Sequence, residues 1–351
     1  MKGNSIYICH TYFQVYITLI KAMIDKQKND VVICNTIPNS KRLIISIKKS
    51  KIFKNVYYYS EVEALQEFMD RKIERKIFRT DQTIKLFEKN ANFRLDCYDD
   101  IYVYNDWTTV GAYLIDKKLK YHLIEDGINA FYYIKGNFAG KVTFLNPNMK
   151  YRVKKIIKRI LHIGYDFFGQ SKYVIDIEVN DKSKIFIKNK NVKEVPRKQL
   201  CNEINNDEKL IIYNIFMDND LDLSSSKKKI LILTQPLFID KMVSSMNEQL
   251  KIYTDIINKY IKKYDVYIKP HPRDTFDYKK INSKVNIIDK DIPIEILNYN
   301  NNIKFEKAIT ITSSSIEMLD FIDEKIVLGF EFLDKIGGKY ESSRNSSNKI
   351  K

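Results

Sequence analysis

The chain has 351 residues, 44% hydrophobic and 13% aromatic, with a formal net charge of +16. It is too apolar and aromatic to be disordered, and its length suits two compact domains. Cys9, Cys34, Cys97 and Cys201 stand far apart, with no CxxC pair and no histidine at ligand spacing. That argues against a disulfide framework or a zinc site and favours a reducing compartment. No run of about 18 apolar residues could span a bilayer, and polar residues interrupt 6–24, where a signal core would lie. The composition therefore predicts a cytoplasmic protein, soluble or peripheral on the inner face of the membrane.

Short β-branched runs alternate with helical patterns, the signature of a doubly wound α/β chain. The first half predicts strands at 5–9, 31–34, 56–59, 101–104 and 121–124, with helices at 13–26, 41–49, 61–88 and 107–117. An extended region follows at 173–179 and 184–188, then a helix over 202–217. Residues 218–229 are polar and rich in serine and lysine, which reads as an interdomain linker. A second α/β series has strands at 230–234, 266–269, 285–288, 308–311 and 326–328, with helices at 242–263, 293–299 and 315–322. The expected domains are 1–222, on the acceptor side, and 228–337, with a polar tail at 338–351.

The sequence Tyr267-Ile268-Lys269-Pro270-His271-Pro272-Arg273 drives an apolar strand into a histidine held between two prolines. Proline fixes φ and extends the residue before it, so the strand's carboxyl end becomes a stiff polar elbow. Ligands of open parallel sheets bind at that edge, and an imidazole between Lys269 and Arg273 suits a departing phosphate. A hinge loop with a surface histidine is the plainer account of this motif taken alone.

Three further motifs lie where strands end. His122-Leu123-Ile124-Glu125-Asp126-Gly127 places a carboxylate at a sheet edge with a permissive glycine beneath it, although Asp-Gly is also common in turns. Thr310-Ile311-Thr312-Ser313-Ser314-Ser315 runs from a strand toward a helix, and hydroxyls at a helix N-terminus can cradle phosphate. Asp291-Ile292-Pro293-Ile294-Glu295 opens a short helix whose Glu295 can accept ribose or base donors. After the first strand, His10-Thr11-Tyr12-Phe13-Gln14 points Thr11, Tyr12 and Gln14 toward the same edge, as an acceptor-side or sugar-binding loop or, equally, as a plain helix N-terminus.

Two other features carry less. Asp218-Asn219-Asp220 matches a metal-chelating DxD pattern but falls in the polar linker. Residues 151–161 (YRVKKIIKRIL) form an amphipathic basic helix suited to an anionic membrane surface, or to packing on a core.

Taken in order, the acidic-Gly strand end, the Lys-Pro-His-Pro-Arg elbow, the Ile-Pro-Ile-Glu turn and the serine run resemble bacterial sialyltransferases of glycosyltransferase family 52. That family includes lipooligosaccharide and capsule sialyltransferases. The resemblance implies a GT-B architecture, two Rossmann-like domains facing across a cleft. It also implies inverting transfer, without a metal cofactor, from CMP-N-acetylneuraminate to a galactose-type hydroxyl. On that resemblance His271 contacts the donor phosphate and can act as acid, with Lys269 beside it. Ser313, Ser314 and Ser315 hold the phosphate, and Glu295 binds the ribose. Asp126 supplies the base, with Asp240 of Thr234-Gln235-Pro236-Leu237-Phe238-Ile239-Asp240 as its rival. Arg273, Gly127 and Gln235 complete the expected donor site.

The implied partners are a nucleotide-sugar donor and a glycan or glycolipid acceptor; an anionic membrane met through 151–161 and a homodimer are compatible with the reading. The alternatives are a UDP-sugar hexosyltransferase of the same fold and a non-catalytic basic protein binding membrane or nucleic acid. Nucleic acid is not expected, because no RNP, helix-turn-helix or KH pattern is present.

Overall fold

The apolar runs become parallel strands buried on both faces, as β-branched segments do when helices cover a sheet on each side. The computed structural model describes residues 4–27, 29–70, 79–126, 166–184, 191–217 and 221–335. The chain divides into two units, Met1–Glu208 and Lys209–Lys351.

In the first unit the strands are β1 (Ser5–Cys9), β2 (Asp30–Cys34), β3 (Val56–Tyr59), β4 (Asp100–Val103), β5 (Tyr121–Ile124), β6 (Val174–Val179) and β7 (Val192–Glu194). They form one parallel sheet in the order β3-β2-β1-β4-β5-β6-β7. The helices are α1 (Tyr12–Asp25), α2 (Ser40–Ser50), α3 (Glu61–Asp70), α4 (Arg79–Asn90), α5 (Thr109–Asp116) and α6 (Arg197–Asn202). Chain order reverses direction between β1 and β4, and that switch point opens a crevice at the carboxyl ends of the strands.

The second unit repeats the plan with β8 (Lys229–Leu233), β9 (Asp265–Lys269), β10 (Asn286–Ile287), β11 (Phe305–Thr310) and β12 (Ile322–Val327). Their order is β10-β9-β8-β11-β12, all parallel, with the switch point between β8 and β11. Helix α7 (Asn206–Phe216) precedes this sheet, and α8 (Met246–Tyr260) and α9 (Gly329–Lys335) belong to it. Each unit has its own apolar core, one around Ile6, Val103 and Leu123, the other around Ile230, Ile268 and Ile309.

Several expected elements differ. Within the helix expected over 61–88, α3 and α4 are described, and 71–78 lies outside the described residues. Phe87 of α4 packs on Tyr59 (5.3 Å) and Tyr113 (3.9 Å) in the core. The last described strand of the first sheet is β7; of the expected extended run 184–188, residues 185–188 lie outside the described residues. The serine run leads into a short 3₁₀ turn, Ser314–Met318, instead of an α-helix over 315–322. Since β12 already begins at Ile322, only a short turn fits between the serine run and the strand. Residues 293–299 likewise form a 3₁₀ turn, Ile294–Tyr299.

The division at Glu208 falls ahead of the expected linker. Tyr213 Oη accepts from Asn300 Nδ2 (3.2 Å), and the Asp222 carbonyl accepts from Tyr267 Oη (2.6 Å). These contacts tie the stretch before β8 to the second unit. Gly127, 151–161, Asp218-Asn219-Asp220 and the tail 338–351 lie outside the described residues.

Candidate active site

In the second unit, three adjacent strand ends are cross-linked by side chains. The Thr234 amide donates to the Lys269 carbonyl (3.1 Å), and the His271 amide donates to Thr234 Oγ1 (3.3 Å), joining β8 to the elbow after β9. On the other side, Gln235 Oε1 accepts from the Thr312 amide (2.9 Å) and from the Thr312 hydroxyl, joining β8 to the end of β11. Tyr253 Oη clamps the Gln235 backbone from below, accepting from its amide (2.7 Å). Since β9 and β11 both flank β8, the elbow and the hydroxyl run are about 10 Å apart, two strand spacings. That is within the length of one nucleotide.

The elbow is buttressed from within. Asp274, 2% exposed, accepts from Thr234 Oγ1 (3.2 Å), Tyr278 Oη (2.5 Å) and the Phe276 amide (3.1 Å). His271 Nδ1 accepts from the Arg273 amide at 3.1 Å. A neutral imidazole with Nδ1 so engaged carries its proton on Nε2, which is then a donor. Burial, and then the Arg273 charge, push the His271 pKa down to about 4, so the ring is neutral near pH 7. Two negative charges of a bound phosphate would favour the protonated form.

The two flanking cations are not placed as the motif suggested. Lys269 is 7% exposed, and its ammonium donates to the carbonyls of Pro270 (3.1 Å) and Lys290 (2.8 Å). Burial pulls its pKa down to about 8, against the attraction of Glu295. It braces the elbow internally. Arg273 reaches Asp240 in a bidentate pair, Nη1–Oδ1 2.7 Å and Nη2–Oδ2 3.0 Å. The rival base therefore has both carboxylate oxygens occupied by a guanidinium.

Glu295 is 3% exposed; burial raises its pKa, while the Ser315 hydroxyl and Lys269 act in the opposite sense. Ser315 is thereby committed to Glu295. The Ser313 amide donates to Thr310 Oγ1 (3.1 Å), and Ser313 caps the 3₁₀ turn with no side-chain bond. The expected helix-dipole cradle is thus replaced by a short turn, whose dipole is weak because few peptides align.

In the first unit, the edge is carboxylate-rich and buried. Asp126 follows β5 and is half-buried. Burial raises its pKa; the Gln14 and Asn105 side chains and then the His10 ring favour the charged form. Gln14 is fully buried; it accepts from the His10 amide (2.6 Å) and lies beside the Asp126 carboxylate. Thr11 is the N-cap of α1, accepting from the Gln14 amide (3.2 Å), and Tyr12 Oη donates to the Pro38 carbonyl (2.5 Å). Glu61 accepts from the Thr109 amide (2.9 Å) and hydroxyl (2.8 Å), fixing the start of α5. The His10 ring, 6% exposed, lies 3.5 Å from Glu61.

Sequence reasoning missed Thr234, Asp274, Thr312, His10 and Asn105. The signal was available for Asn105 and His10, polar residues directly after a strand. Asp274 was visible only as the residue after Arg273.

Two doubly wound parallel sheets, each with polar groups at its carboxyl edge, give the GT-B architecture, and the comparisons agree on that fold. The chain belongs to glycosyltransferase family 52, whose model matches residues 13–332. An uncharacterized protein of Haemophilus influenzae is 30% identical over 218 residues, covering 60% of this chain and 64% of that relative's length. An alpha/beta-galactoside alpha-2,3-sialyltransferase of Photobacterium phosphoreum has the same fold, with a TM-score of 0.53 at 15% identity, covering 93% of this chain and 91% of that one. A 2,6-sialyltransferase of Photobacterium sp. JT-ISH-224, solved with CMP and lactose, matches with a TM-score of 0.50 at 12% identity, covering 95% of this chain and 76% of that one.

Among the described residues no helix is long and apolar enough to cross a membrane, and no cluster of three His, Cys, Asp or Glu side chains is arranged to hold a metal ion.

Proposed function

We propose that the protein is an inverting sialyltransferase that moves N-acetylneuraminate from its CMP donor to a galactose-type hydroxyl of a bacterial surface glycan, such as capsule or lipooligosaccharide. The observation that carries this reading is the second unit's edge, where a neutral imidazole with its proton on Nε2 and the hydroxyl run after β11 are both tied to the end of β8, through Thr234 and Gln235. The CMP and lactose of the Photobacterium sp. JT-ISH-224 enzyme support the donor and acceptor classes by analogy.

In the proposed step, a carboxylate takes the proton of the acceptor hydroxyl as its oxygen bonds to the anomeric carbon. The bond from that carbon to the phosphate oxygen breaks, and its electrons leave on CMP. His271 Nε2–H donates to the leaving phosphate, and the Ser313 hydroxyl, which makes no side-chain capping bond at the β11 end, is proposed to take up part of the remaining charge. Asp126 is the proposed base, since desolvation raises its carboxyl above 3.8 and so makes it more basic, whereas the Asp240 oxygens are held by Arg273. The groups proposed to hold the phosphate are all from this chain, so activity is expected to persist in EDTA.

Calorimetric titration with CMP and UDP, followed by mass analysis of products from CMP-sialic acid and lactose, tests the proposal. Binding of CMP with a sialylated product supports it. Tight binding of UDP with none of CMP would replace it with the hexosyltransferase reading.

A further inference from the structure

The single tryptophan of the chain, Trp107, stands just after β4, one of the two strands that bound the switch point of the first unit. It is 56% exposed. It immediately precedes Thr108, the N-cap of α5, whose hydroxyl accepts from the Gly111 amide (3.2 Å). An apolar residue at that position ordinarily staples itself against the fourth residue of the helix. Here that residue is Ala112, which is buried, yet most of the indole remains in solvent. Helix initiation therefore does not account for the side chain.

The turn that presents the indole is rigidly built. Asp106, 1% exposed, accepts from the Phe168 amide (2.6 Å), the Gly169 amide (2.8 Å) and Tyr121 Oη (3.1 Å). Gly111 packs so closely that a Cβ there would stand 2.0 Å from the Asp106 carbonyl oxygen. Phe168 has φ +58°, a strained conformation for an aromatic residue, and its ring lies 5.4 Å from the indole at 48°. Two residues before Trp107, Asn105 acts on the Asp126 carboxylate.

We propose that Trp107, with Phe168 at its side, is the platform for the acceptor sugar. One face of a β-galactoside ring carries contiguous C–H groups, and these pack on an aromatic face while the hydroxyls turn toward polar neighbours such as Asn105 and Asp126. A two-ring patch is far smaller than the roughly 800 Å² per partner of a stable protein interface, whereas it matches one pyranose ring. The proposal rests on the transferase reading above and is independent of which nucleotide the donor carries.

Because Trp107 is the only indole, its emission reports on the site directly. Lactose or methyl β-galactoside, without donor, is expected to shift that emission saturably, and CMP alone is not. Trp107→Ala should raise the acceptor KM about tenfold or more, and Trp107→Phe should stay within about threefold of wild type, with the CMP Kd and the melting temperature unchanged in both. No emission change with either galactoside, a change with CMP alone, or an unaltered acceptor KM in Trp107→Ala would each overturn the platform. If the sialyl-transfer reading is what fails, turnover is lost with every acceptor while the galactoside titration still moves the emission.

Discussion

The carboxyl edges of the two sheets are organised differently, although the sheets share their strand order around the switch point. In the second unit the edge is held by backbone and hydroxyl contacts: prolines fix the elbow, Thr234 and Gln235 tie β8 to its neighbours, and Asp274 bonds the elbow from beneath. Its histidine stays neutral and its lysine is internal. In the first unit the edge is made of buried or half-buried carboxylates, Glu61, Asp106 and Asp126, with the charge of Asp126 only partly met by neutral amides. The contrast suits a division of labour. An edge that receives an anion must have its own carboxylates engaged, as Asp240 is by Arg273 and Asp274 by Thr234 and Tyr278, while an edge that takes a proton must keep a carboxylate short of full stabilisation.

Substitutions can break or sharpen that comparison. The largest effect is expected from Asp126→Asn, which should lower kcat by about 10²–10⁴-fold, while Asp240→Asn should cost less than about tenfold. CMP release under saturating substrates measures both, and the opposite ranking would move the base to the second unit. Next, His271→Ala should reduce turnover by roughly 10²-fold with an unchanged circular dichroism spectrum, because the prolines rather than the imidazole set the elbow. Unaltered turnover would remove His271 from the mechanism.

The smallest effect concerns stability. Burial raises the Asp126 carboxyl above its unfolded value of 3.8. Its contribution to stability is therefore fully present below that unfolded pKa and is lost as pH rises through the folded one. At neutral pH the charged carboxylate is a net cost, so Asp126→Asn should raise the melting temperature by about 2 °C at pH 7, with the difference shrinking below pH ~4. A lower melting temperature at pH 7 would mean that the surrounding amides fully stabilise the charge, and would weaken the case for a base.

Much of the strand framework was legible because a doubly covered parallel strand needs an uninterrupted apolar run, and such runs are local. The elbow was legible because proline acts on its own backbone and its predecessor's. The serine run misled because an α-helix and a 3₁₀ turn begin with the same hydroxyl residues, and the choice depended on where the start of β12 had to lie. The bond from the His10 amide to Gln14 was not legible, because it depends on how the first turn of α1 packs on the end of β1.

The amino-acid order by itself determined two α/β units and the placing of histidine, acids and hydroxyls at strand ends, since these follow from side-chain periodicity and fixed backbone torsions. Only the tertiary structure decided which of those groups remain available. Arg273 was taken by Asp240, Lys269 by two carbonyls and Ser315 by Glu295, while Trp107 was left in solvent. Such pairings join residues far apart in the chain, or turn on burial that the chain order does not encode locally, and they appear only once the strands lie side by side.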